Sequence, residues 1–156
     1  MPESLADKIM RKIESLDSLY FRLLLVVAPS GAGKTTALMD VQKKTGAPLI
    51  NVNLELSRLM LDLTHRQRAL HLPRLIRDII DRDTGNIILL DNIELLFDIE
   101  LKQDPLRLLQ GISRNKSVIA SWNGTINDIY LAYAEPDHPE FKRYPVKDFL
   151  AISPEV

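Results

Sequence analysis

Cysteine does not occur in this sequence, which excludes disulfides and thiolate-bound zinc and suits a reducing setting. Long apolar runs are missing too. The longest spans residues 23–29, far short of the roughly 20 residues that cross a bilayer, so no membrane span is expected. Glu3, Asp7, Lys8, Arg11 and Lys12 occupy the stretch that a secretory leader would keep apolar, and a soluble, cytoplasmic protein is the expectation. Neither sign of charge is in excess: 20 Lys and Arg balance 21 Asp and Glu to a net of -1. That balance excludes a general electrostatic pull toward nucleic acid or membrane and leaves only local contacts.

What is present is an alternation of strand and helix patterns. The 156 residues fit a single domain, 1-156, long enough to bury roughly two-thirds of the surface its unfolded chain exposes. Residues 4–19 carry Leu5, Ile9, Ile13, Leu16 and Leu19 at steps of three and four, the apolar stripe of a lead-in helix. Apolar strands follow at 23–28, 49–53, 86–91, 117–122 and 149–153, mostly without polar alternation, as in parallel sheets buried on both faces. Helices are expected at 34–45, 65–82 and 105–114. Thr64 with Gln67 forms a capping box, and Asp104 before Pro105 is an N-cap followed by a first-turn proline. The alternation predicts a three-layer α/β fold with a mostly parallel sheet of about five strands. Residues 123–144 hold a turn signal, a strand-like run and a Pro-rich loop, and the run at 129–134 reads as a surface hairpin.

The segment "LLLVVAPSGAGKTTAL", residues 23–38, is a strand, a Gly-rich turn and a helix start in the order of a P-loop. Gly31 and Gly33 can take positive φ and so curl backbone N–H groups around phosphate oxygens. Lys34 would reach the β- and γ-phosphates of ATP, Thr35 would offer its hydroxyl to Mg²⁺, and Pro29, Ser30, Ala32 and Thr36 complete the nucleotide-binding loop. The first position departs from the GxxxxGK[ST] pattern, with Ala28 in place of Gly.

"NIILLDNIE" has the form of a Walker B strand, with Asp91 as the second group on the magnesium. The residue after it, where many hydrolysing relatives carry a water-polarising Glu, is Asn92, which can orient water but cannot take its proton. Glu94 and Glu55 are the alternative carboxylates. Asn123 ends the fourth strand where AAA+-like proteins place a polar sensor of the γ-phosphate, although Asn-Gly is equally a hairpin dipeptide. Arg143, just ahead of the last strand, stands where such proteins carry an arginine finger for a neighbouring subunit.

Arg66, Arg68, His71, Arg74, Arg77 and Arg82 give residues 65–82 a basic character, suited to a solvated face, an acidic partner or DNA phosphates. No aromatic residues are interleaved there, so a stacking surface for single strands is not visible. "LKQD" at 101–104 differs from a guanine-reading NKxD by its Leu and precedes a helix, so Asp104 reads as a cap. Asp137, His138 and Glu140 share a loop without further ligands at metal spacing.

Five segments, "NVNLELSRLMLDLTHRQRALHLPRL", "LLDNIELLFD", "LKQDPLRLLQGISRN", "ASWNG" and "YAEPDHPEFKRYP", carry a more specific resemblance. The chain resembles the BrxF family, the compact P-loop proteins of type III BREX phage-defence systems, from the phosphate loop to about residue 147. That resemblance implies a host-defence role beside a DNA methyltransferase, a phosphatase-like protein and larger ATPases. It also implies nucleotide binding at Ser30, Gly31, Gly33, Lys34, Thr35 and Asp91. The expectation is an AAA+-like core without a lid domain that binds Mg-ATP and hydrolyses it weakly, as a homo-oligomer or with defence partners. The alternative is a non-hydrolysing, nucleotide-gated adaptor that recruits proteins or DNA.

Overall fold

In the computed structural model, which describes residues 3–154, the apolar run of β1 (Leu23–Ala28) is an inner strand with all six side chains buried. Five strands run parallel in the order β2 (Leu49–Asn51), β3 (Ile87–Asp91), β4 (Ser117–Ile126), β1 and β7 (Leu150–Ile152). Alternate side chains of β1 enter two different cores. Leu24 and Val26 meet Ile9 and Leu16 of α1 (Leu5–Leu16) and Leu38 and Val41 of α2 (Lys34–Thr45). Leu23, Leu25 and Val27 join the core formed with α3 (Val52–Met60), α4 (His65–Asp81) and α5 (Pro105–Ile112). Helices therefore bury both faces of the sheet, which is why its inner strands can dispense with polar alternation.

The capping signals act as the sequence suggests. Thr64 accepts from the Gln67 N–H while the Gln67 side chain accepts from the Thr64 N–H, and the Asp104 carboxylate accepts from the Arg107 N–H ahead of Pro105. Ser4 and Asn51 cap α1 and α3 in the same manner.

Three expectations change. The second strand stops at Asn51 instead of running to residue 53, because Asn51 turns its side chain onto the Leu54 N–H and starts α3, a helix the pattern reading did not anticipate. Its buried positions, Val52, Leu56 and Met60, recur at steps of four, but the exposed Leu54 and Leu59 blur that stripe. Asn123 and Gly124 make no turn. β4 continues to Ile126 and pairs antiparallel with β5 (Tyr130–Tyr133), which pairs in turn with β6 (Lys142–Pro145).

The strand-like run at 129–134 is accordingly more than a surface hairpin, since Leu131 and Tyr133 are buried in the larger core. Phe97 stands edge-on to Trp122 at 5.1 Å between centroids and stacks on Tyr133, while the Trp122 indole N–H donates to the Ala132 carbonyl at 3.1 Å. A side chain at position 124 would collide with that same Ala132 carbonyl, so glycine is what lets β5 approach.

Gly124→Ala is therefore expected to lower stability by about 1–3 kcal/mol, as overpacking typically does. A urea-unfolding midpoint equal to that of the parent chain would contradict this.

Candidate functional site

At the carboxyl end of β1 the chain has no side chain left to bury, and residues 29–33 loop outward before α2 begins. Gly31 at φ 82° and Gly33 at φ 90° both adopt the left-handed conformation that glycine takes without a Cβ penalty. Gly33 is also the N-cap of α2 and offers no side-chain cap, so the N–H groups of the first helical turn face the loop's concave side with the positive end of the helix dipole.

Lys34 is buried, 6% exposed, and its ammonium donates to the carbonyls of Ala28 at 2.8 Å and Pro29 at 2.7 Å. Burial pushes its pKa below the usual lysine value, while the negative charges of Asp91 and Glu94 push partly back.

Asp91, at the end of β3, is equally buried and accepts two short hydrogen bonds, from the Thr35 hydroxyl and the Ser121 hydroxyl, each at 2.6 Å. Thr35 and Asp91, expected to share a metal, are thus in direct contact. Their donor set is all oxygen and suits a hard divalent cation such as Mg²⁺ completed by water and phosphate oxygens. Ser121 was not singled out from the sequence, although a lone hydroxyl inside the apolar stretch of β4 was a visible signal.

Past Asp91 the backbone turns sharply. Asn92 lies at φ 54° and its carbonyl accepts the Asn53 N–H at 2.9 Å. The turn delivers Glu94, first residue of a short 3-10 helix (Glu94–Phe97), to the same hollow. One Glu94 carboxylate oxygen accepts from the Asn123 amide at 2.6 Å and the other from the Asn53 amide at 3.0 Å. Asn123 is level with Ala28 in the parallel register of β1 and β4, so the strands bring it to this rim. Glu55 lies elsewhere, paired with Arg58 and Arg82 on the surface.

The result is a polar cavity of about 310 Å³ at the carboxyl ends of β1, β3 and β4, lined by Ser30, Gly31, Gly33, Lys34, Thr35, Thr36, Asp91, Asn92, Glu94 and Asn123. Pro29 and Ala32 do not line it. They border a separate, less polar hollow with Gly124, Thr125 and Ser153. Arg143 is on β6, its guanidinium 4.3 Å over the Tyr130 ring, and is not part of the cavity wall. Arg66, Arg74 and Arg77 are exposed on α4, whereas Arg68 donates to the Leu63 carbonyl. Among the described residues no helix is long and apolar enough to cross a membrane.

A scan against protein-family models and a search of curated proteins find no match to this chain.

The lowered Lys34 pKa has a definite sign in stability. Between its folded value and the ordinary 10.5 the unfolded chain binds more protons, so wild-type stability relative to Lys34→Met is expected to rise as pH climbs through that window. Urea titrations of both chains at stepped alkaline pH check this, and a pH-independent difference would contradict it.

Proposed function

We propose that this chain is a P-loop NTPase with an AAA+-like core that binds Mg-ATP, hydrolyses it weakly, and acts within a BREX-type phage-defence assembly. The observation that carries the nucleotide reading is the meeting of Lys34, Thr35 and Asp91 beside a loop whose two glycines adopt positive φ, at the carboxyl ends of the parallel strands β1 and β3. Open α/β sheets bind ligands in such crevices, where connections leave toward opposite faces. The strand order β2-β3-β4-β1-β7, with β4 between β1 and β3, agrees with this class of nucleotide-binding fold.

In this reading the loop N–H groups and Lys34 hold the phosphates, and Thr35 with Asp91 holds the magnesium, which neutralises phosphate charge when bound. Asn123 senses the terminal phosphate. A second copy or a larger partner ATPase would close over the nucleotide and exclude water. Arg143, exposed on β6, is the residue proposed to reach a neighbour's site. The exposed arginines of α4 offer a local surface for DNA phosphates or an acidic partner. The defence role and the partner proteins rest on the resemblance of the chain to the BrxF family, and the cytoplasmic setting on the absence of cysteine and the charged residues at 3–12.

A second reading, a nucleotide-gated adaptor without turnover, is favoured by Asn92 in the position directly after Asp91.

The deciding experiment is titration of purified protein with Mg-ATP, followed by turnover measured across a wide protein concentration range. Lys34→Ala is expected to lower Mg-ATP affinity by about two orders of magnitude or more, because the charge-assisted phosphate contact of a buried ammonium is lost. A specific rate that climbs with concentration supports an assembled ATPase. Unchanged affinity in Lys34→Ala would overturn the site.

A further inference from the structure

We propose that the outer face of α4 and α5 binds the phosphate backbone of double-stranded nucleic acid without reading its sequence. The inference takes up the arginine surface named above, commits it to one partner and adds α5 to it. Two stripes carry it. The exposed residues Arg66, Leu70, Arg74 and Arg77 recur along α4, and Arg107, Gly111 and Arg114 along α5 and the turn after it, both at the steps of three and four that keep side chains on one helix face. α5 packs beside α4, and Arg77 and Gly111 line one hollow between them, so the stripes lie level with each other.

Five guanidinium groups thus share one surface of a chain whose net charge is -1. Arg66 to Arg77 covers about 16 Å of helix at roughly 1.5 Å per residue, a length along which duplex DNA presents on the order of ten charges. The nearby carboxylates do not neutralise this face. Asp78 lies 4.0 Å from Arg74 and Asp104 3.7 Å from Arg107, exposed pairs of a kind that holds its partners weakly. Asp104 is also committed elsewhere, since it accepts the Arg107 N–H as the cap of α5 and the Tyr144 hydroxyl. Asp81, one turn past Arg77, ends the α4 stripe. The hollow is not the phosphate seat, because Asp81 and Asp83 line it and its buried Lys116 ammonium donates to the carbonyls of Ile80 and Asp83.

The chemistry of the face selects the partner. The centre of a protein interface is apolar and poor in charge, whereas Leu70 is the one large apolar side chain exposed on these two helices among the described residues. Neither helix contains Phe, Tyr or Trp, so unpaired bases find no stacking platform on them, and the neighbouring Tyr20 ring has the Arg114 guanidinium 4.8 Å above it. What remains are planar, permanently charged donors that fit phosphate oxygens bidentately. Two helices lying flat present no element that enters a groove, so the contact positions the duplex and leaves its bases unread.

The test is fluorescence anisotropy of a short labelled DNA duplex of mixed sequence, titrated with the full chain in the absence of nucleotide between about 50 and 200 mM salt. Wild type is expected to bind with log K falling against log salt at a slope of about −3 to −4, the signature of three or four phosphates neutralised. The double variants Arg66→Gln/Arg77→Gln and Arg107→Gln/Arg114→Gln are each expected to flatten that slope by about 2 and to weaken binding at low salt about tenfold or more. Arg58→Gln, an exposed position on α3, is expected to leave both unchanged.

No binding of the duplex at the lowest salt overturns the inference, and so does a wild-type slope in both double variants. A single strand of the same length, or a polyglutamate peptide, held more tightly than the duplex overturns the choice of partner. Because no nucleotide is present, loss of the duplex contact leaves the Mg-ATP site standing, and failure to bind Mg-ATP leaves the duplex contact standing.

Discussion

Burial of β1 on both faces is the constraint from which the site follows. Its six residues are apolar and enclosed, so the first groups able to do chemistry appear only past Ala28, where the sheet ends. β3 behaves alike, apolar and largely buried until Asp91. Parallel register then aligns these exits: Ala28 is level with Asn123, and Leu90 with Ala120. A glycine loop, a carboxylate and an amide are thereby delivered to one rim without any of them having to enter the core.

The two buried charges at this rim are satisfied separately. Lys34 donates to carbonyls of its own loop, and Asp91 accepts from two hydroxyls. Had they bonded to each other, the pair would have neutralised itself and lost its appeal to ions. Kept apart, a desolvated ammonium favours an anion and a desolvated carboxylate favours a cation, because burial strengthens both attractions. Hydroxyl donors are also easily reoriented. Thr35 can turn its proton away from Asp91 and present a lone pair, which is how the same contact can serve a metal.

The parts of this site that sequence makes legible are those coded within a few residues. The loop from Pro29 to Thr36 and the start of α2 at Lys34 follow from glycine spacing and the apolar strand before them, and Asp91 follows from the strand it ends. Ser121, Asn53 and the partner of Glu94 are not legible in that way. Each depends on register between strands or on the angle at which α3 leaves β2, across separations of 30 and 41 residues for the Ser121–Asp91 and Asn53–Glu94 bonds. The antiparallel addition to β4 escaped for a related reason. Asn-Gly is a local turn signal, but Gly124 is present because Ala132 comes too close for a side chain, a fact of tertiary packing that overrides the dipeptide's preference.

Asn92 carries the main argument for an adaptor without turnover, and its backbone changes the weight of that argument. A residue at φ 54° pays a left-handed penalty that Asn tolerates better than Glu, because its short amide can hydrogen-bond locally. A glutamate directly after Asp91 would fight the turn that the Asn92 carbonyl anchors to the Asn53 N–H. Asn at 92 thus answers a conformational demand, and it does not by itself speak about hydrolysis. The same turn starts the short helix on which Glu94 stands, so the geometry that disfavours a glutamate at position 92 presents one at 94, already oriented by two amides. Glu94 is held there by the Asn53 and Asn123 amides, contacts that the residue directly after Asp91 does not supply.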